Sequence, residues 1–115
     1  MFDANKRRFP RANYPCSLTI WQEGGLDTLL ANTANIGAGG LSVHLDQRLE
    51  IGLKVDIRVD FSKTETFQCC GRVLRCQENQ PSGSPKFYAV AIVFEGLDEE
   101  KVFYLKKQVE RLRVS

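Results

Sequence analysis

The sequence predicts an all-β fold, a six-stranded antiparallel β-barrel with a C-terminal α-helix and a flexible N-terminal arm. Three observations carry that prediction. Apolar and polar residues alternate in short runs, most clearly where Val55, Ile57, Val59 and Phe61 interleave with Asp56, Arg58 and Asp60. Turn-forming residues separate these runs at short intervals. Only the last segment, about 97–113, has helical spacing. Closing such a set of strands into a barrel removes the exposed edges that invite aggregation.

The elements follow in order. Residues 1–13 are polar and basic and contain Pro10, which predicts a mobile arm, with the barrel and its helix occupying 14–115. After Pro15, the residues Cys16, Leu18 and Ile20 alternate with Ser17 and Thr19 through Trp21, the pattern of a half-buried strand. Gly24-Gly25 then reads as a hairpin turn, and a second strand is expected from about Asp27 to Thr33. A glycine-rich turn spans Asn35–Gly40, and Leu41, Val43 and Leu45 alternate with Ser42, His44 and Asp46 beyond it. Gly52 precedes the strand at Val55–Phe61, whose one charged face implies a sheet with one wet side. After the polar turn Ser62–Glu65, the residues Phe67, Cys69 and Gly71 share a face. The phase blurs over Gly71–Leu74, as a β-bulge at the glycine would make it. A Pro/Ser/Gly loop at Asn79–Pro85 leads to Phe87–Phe94, which is apolar on both faces and is expected to be covered on both. In the terminal helix Asp98 is the expected N-cap, with Leu97 and Val102 at the staple positions. Val102, Leu105, Val109 and Leu112 form one stripe against the barrel, with spacing that also permits self-association.

Composition narrows the function. With 115 residues there is room for one domain, and a net charge of +2 is too small for a general polyanion binder. No apolar run approaches the roughly 20 residues of a membrane span, and the N-terminus lacks the apolar core of a secretory signal. The four cysteines, Cys16, Cys69, Cys70 and Cys76, show no C-x-x-C spacing, and His44 is the single histidine. That pattern disfavours zinc and suits reduced core thiols in a cytoplasmic protein. No Ser/His/Asp or Cys/His set appears, so a binding module without enzymatic activity or cofactor is expected.

Two segments point to a ligand. Arg7 and Arg11 form R-x-x-x-R with Arg8 between them, and Pro10 biases Phe9 away from helix. Asn35, Gly37 and Gly40 form N-x-G-x-x-G, with Gly39 inside it. In this order, on a barrel-like strand pattern, the two resemble the signature of PilZ domains, bacterial receptors for cyclic di-GMP. The likeness runs from about Lys6 to the helix and takes in Gly71-Arg72-Val73 and Tyr88–Phe94. Two departures stand out. Gly37 occupies the family's usual serine position, and Ala91 stands where the last strand often carries glycine.

The resemblance implies a split barrel with a terminal helix and assigns roles by position. Arg7 and Arg11, with Arg8 as a second-rank contact, would hold phosphates and guanines as the arm folds over the ligand. Arginine suits this because its planar fork bonds phosphate or a guanine edge bidentately and stacks on a base. Asn35 would offer a donor and an acceptor to a guanine edge. Gly37, Gly39 and Gly40 would bend the backbone through positive φ and allow close approach. Losing the serine hydroxyl at Gly37 removes about 0.5–1.5 kcal/mol of binding.

The function expected is therefore a cyclic di-GMP sensor that orders its arm on binding and signals to a downstream protein, in motility or biofilm regulation. An adaptor of the same fold that no longer binds the nucleotide is the alternative, favoured by Gly37 and Ala91. A small nucleic-acid-binding barrel is a third reading. It is disfavoured by the mixed charge of Asp56, Arg58 and Asp60 and by the lack of an aromatic platform, so no DNA or RNA partner is expected. Trp21 reads as a packing or partner-facing residue and His44 as a surface residue. A monomer or weak homodimer is expected.

Overall fold

The computed structural model describes residues 11–12, 15–22 and 28–113; for Arg11, Ala12 and Arg113 it describes the backbone only. The strands are β1 (Arg11–Ala12), β2 (Ser17–Gln22), β3 (Thr28–Gly37), β4 (Gly40–Leu45), β5 (Lys54–Asp60), β6 (Thr66–Asn79) and β7 (Phe87–Glu95), and the helix is α1 (Glu99–Arg113). All pairings are antiparallel. The ladder runs β3-β2-β5-β6-β7-β4 and closes by pairing β4 back to β3, which makes a six-stranded barrel. The short β1 adds to β3 beyond the end of β2. Hence the expected arm already joins the sheet at Arg11–Ala12, while residues 1–10 lie outside the described residues, as does the Gly24-Gly25 turn.

Alternation sets the inside. On β5, Val55, Ile57 and Val59 are buried and Asp56 and Arg58 exposed. Leu18 and Ile20 of β2, Leu41 and Val43 of β4, and Val90, Ile92 and Phe94 of β7 join them in one core. Burying each such side chain contributes about 1.5–3 kcal/mol. The one polar strand residue among them, Thr33, is satisfied. The Cys16 N–H donates to its Oγ1 at 2.9 Å, and its own N–H donates to the Cys16 carbonyl at 2.9 Å.

The helix begins as its sequence dictates. Asp98 Oδ1 accepts from the Lys101 N–H at 2.9 Å, and Leu97 and Val102 both pack against the core. Glu99 and Glu100 fill the first turn, where the helix dipole favours negative charge. Leu105 and Val109 are fully buried and Val102 and Leu112 half-buried, so the stripe meets the barrel. Tyr104 stacks on Phe67 at 5.9 Å and meets Phe61 edge-on at 6.3 Å.

Three local expectations are corrected. The bulge in β6 is not at Gly71, which pairs regularly with Val55 and Phe94; the register shifts between Val73 and Arg75. Gly71 is instead small because a Cβ there would meet Ile92 Cγ2 at 2.6 Å and the Val93 carbonyl oxygen at 3.1 Å. The last strand is not covered on both faces, since Val93 is 37% exposed and only Val90, Ile92 and Phe94 are fully inside. And β3 does not stop at Thr33 but runs through Asn35 to Gly37, because it has partners on both edges there, β4 on one and β1 on the other.

Candidate functional site

One residue of the basic segment, Arg11, pairs with the glycine-rich segment in the β1–β3 ladder. Arg11 stands opposite Gly37 and Ala12 opposite Ile36. The backbone of Arg11, the last residue of the R-x-x-x-R segment, thus lies directly beside Gly37 of the N-x-G-x-x-G segment, although the β2–β3 pair intervenes in the chain. Arg7 and Arg8 lie outside the described residues, and for Arg11 the backbone alone is described.

The glycine segment is mostly strand. Asn35 and Gly37 belong to β3, Gly40 opens β4, and Ala38 and Gly39 make the connection. The expectation of positive φ at Gly37, Gly39 and Gly40 is not met. Among the described residues positive φ occurs at Gly52, Gly83 and Gly96. What Gly40 supplies is close approach, and to the barrel itself: a Cβ there would collide with the Ile92 carbonyl oxygen. The Gly39 carbonyl is likewise taken, accepting from the Phe94 N–H at 3.0 Å. The backbone of this turn is therefore held against β7 through Gly39 and Gly40.

Asn35 is half-buried and faces outward, between the inward Thr33 and Ile36. Its outward direction comes from a bulge. The β3–β4 register shifts between Thr33 and Asn35, so two residues of β3 oppose the single Ser42 of β4. Without the extra residue Asn35 would fall opposite Leu41 and point into the core. Across the barrel wall Ser42 pairs with Ala91, and Ala91 with Arg75. One row of outward residues therefore reads Asn35, Ser42, Ala91, Arg75. On the rows to either side, Gly40 pairs with Val93 and His44 with Ala89. The middle of this face carries small side chains, suited to a flat ring, and its ends carry polar ones. Ser42 and Arg75 escaped the sequence reading; the signal is visible only once register is known.

Charge nearby is partly committed. Arg72 Nε donates to Glu95 Oε2 at 2.9 Å and its Nη1 to the Gly52 carbonyl at 2.9 Å. The bond to Arg72 holds the Glu95 carboxyl below the usual carboxylate range. His44 is exposed, with its ring 4.7 Å from that of Phe87, as a surface residue would be.

The cysteines lie elsewhere. Burial pushes the Cys69 thiol up to about 12, with the neighbouring Cys70 adding to it. Cys70 donates to Asp56 Oδ1 at 3.3 Å, which also raises its pKa. All four cysteines are free, and the described residues hold no cluster of metal-ligating side chains. No helix among the described residues is long and apolar enough to cross a membrane.

Comparison with solved structures finds the same barrel. The PilZ domain of YcgR from Escherichia coli, solved with c-di-GMP, superposes with a TM-score of 0.78 at 15% identity over 93% of this chain and 91% of that one. The Bacillus subtilis inhibitor of motility, MotI/DgrA, gives 0.74 at 17% identity over 95% of this chain and 51% of that one. MrkH of K. pneumonia gives 0.79 at 12% over 94% and 48%, so the chain spans about half the length of these two proteins. No curated protein matches in sequence. The family model for the PilZ domain matches residues 5–112, nearly the whole chain. With that match laid over the barrel, its terminal helix and the two adjoining motifs, the chain belongs to the PilZ domain family.

Proposed function

We propose that this chain is a cyclic di-GMP receptor that signals to a protein partner. The observation that supports the reading is the pairing of Arg11 with Gly37, which sets the last residue of the arginine segment beside the glycine segment. The PilZ domain of YcgR, solved with c-di-GMP, shares the barrel. In this reading Arg7 and Arg11, assisted by Arg8, grip phosphate and guanine. Asn35 meets a base, and the strand ends at Gly37, Gly39 and Gly40 let the ligand lie close. Residues 1–13 act as an arm that is anchored at Arg11–Ala12 and folds over the ligand, residues 14–115 act as its platform, and a downstream protein reads the changed surface. The setting proposed is the bacterial cytoplasm, with motility or surface attachment as the process.

The test is calorimetric titration of cyclic di-GMP, with GMP as the control. Saturable micromolar or tighter binding supports the receptor. Arg7→Ala and Arg11→Ala should each remove it, and Arg113→Ala should not. Equal loss in all three would mean non-specific charge. A second reading, an adaptor that has lost the nucleotide, rests on Gly37, which has no hydroxyl to offer. It predicts a folded protein that gives no heat with cyclic di-GMP.

A further inference from the structure

The barrel wall carries a second bulge that matches the one before Asn35. On β6 the register shifts between Val73 and Arg75, so Leu74 and Arg75 together oppose the single Ala91 of β7. Val73 pairs with Ile92 and is buried; Cys76 pairs with Val90, which is also buried. Uninterrupted pairing would have put Leu74 opposite Ala91, on the outside, and Arg75 opposite Val90, inside the barrel. The extra residue turns Arg75 outward and leaves Leu74 62% exposed. Exposing a leucine and breaking a ladder both cost stability, and bulges recur where a side chain must be re-aimed beside a site.

The two bulges act on one row. Ser42 is the single residue facing the β3 bulge, Ala91 is the single residue facing the β6 bulge, and Ser42 and Ala91 pair with each other. Asn35 and Arg75 are thereby set at the two ends of the same outward row, three strand spacings or about 14 Å apart along the surface. Between them lie only a serine and an alanine. A neighbouring arginine, Arg72, is bound to Glu95, whereas Arg75 forms no ion pair among the described residues.

We propose that Arg75 is a specificity-determining residue of the nucleotide site, reading the O6/N7 edge of a guanine that lies over Ser42 and Ala91. This rests on the receptor reading above. The chemistry favours a base edge over a phosphate. The receptor reading gives the phosphates to the arginine segment, whose last residue, Arg11, has its backbone paired with Gly37 of β3, and Arg75 lies at the far end of the row. A guanidinium fork donates two parallel hydrogen bonds to the two acceptors of guanine. Adenine presents a donor amino group in place of O6 and cannot accept both. The row thus combines a flat, small-residue floor for the ring with a donor fork for one edge.

The experiment titrates cyclic di-GMP and cyclic di-AMP into the wild type, Arg75→Ala and Arg75→Lys, each checked for fold by circular dichroism. The expected result is a wild type that prefers the guanine ligand. Arg75→Ala should weaken cyclic di-GMP binding roughly 5- to 150-fold and leave cyclic di-AMP nearly unchanged. Arg75→Lys, which keeps the charge and loses the fork, should stay weak. Restoration by lysine, or equal loss for both ligands, would overturn the proposal in favour of general attraction. Wild-type binding that Arg75→Ala leaves intact would overturn this proposal alone. A folded wild type that binds neither ligand would overturn the receptor reading and this inference with it.

Discussion

Arg11 lies opposite Gly37 in an antiparallel ladder of only two residue pairs, Arg11–Gly37 and Ala12–Ile36. That short pairing adds Arg11–Ala12 to β3 and sets Arg11 beside the glycine motif. Ile36, next to Gly37, is the point where β3 carries a strand on each side, with Ala12 of β1 on one and Leu41 of β4 on the other.

Adding a hydroxyl at Gly37 should strengthen ligand binding. Its φ lies outside the positive region, so an L side chain meets no backbone strain there. Gly37→Ser should raise affinity for cyclic di-GMP about three- to tenfold, the worth of one hydrogen bond. Calorimetry beside the wild type checks this, and an unchanged affinity would show that the hydroxyl finds no partner.

Gly40→Ala should destabilise the barrel by about 1–3 kcal/mol. The new methyl would meet the Ile92 carbonyl, which is backbone and part of the β4–β7 ladder. Gly71→Ala meets Ile92 Cγ2, a methyl on a buried β-branched side chain that is stiff at χ1, and the Val93 carbonyl oxygen, and should destabilise the barrel as well. Urea unfolding of both variants checks these losses.

Stability should fall in alkaline solution. The folded Cys69 thiol titrates at about 12, well above its ordinary value of 9.0, and burial also raises Cys16. A raised folded pKa means a contribution that is complete below pH 9.0 and is lost as pH climbs toward about 12. Cys69→Ala should flatten that decline, as read by denaturant midpoints between those limits. A decline of equal slope in the variant would assign it to other groups.

Removing the helix cap should cost about 1 kcal/mol. Asp98→Ala deletes the acceptor of the Lys101 N–H, and thermal unfolding should register the loss. Leu105→Ala, at a fully buried site under the helix, should cost about 2–5 kcal/mol.

Alternation and local capping chemistry already specified the inside and the outside of most strands and the start of the helix. Val55, Ile57 and Val59 alternate with Asp56 and Arg58, and only one pleat direction buries the first set. Asp98 with Leu97 and Val102 specified the helix entry, because a cap and a staple are local chemistry. The two motifs were also legible as segments. Register, by contrast, came from the pairing of distant strands. Glycines at 37, 39 and 40 read as a turn, yet pairing of Asn35 with Ser42 and of Gly37 with Arg11 keeps both in strand. The phase slip near Gly71 was visible, but only the facing strand β7 fixes it at Leu74. The row Asn35, Ser42, Ala91, Arg75 draws on four strands and two bulges. No local pattern encodes it, because a cross-strand neighbour is set by where the barrel closes and not by the residues beside it in the chain.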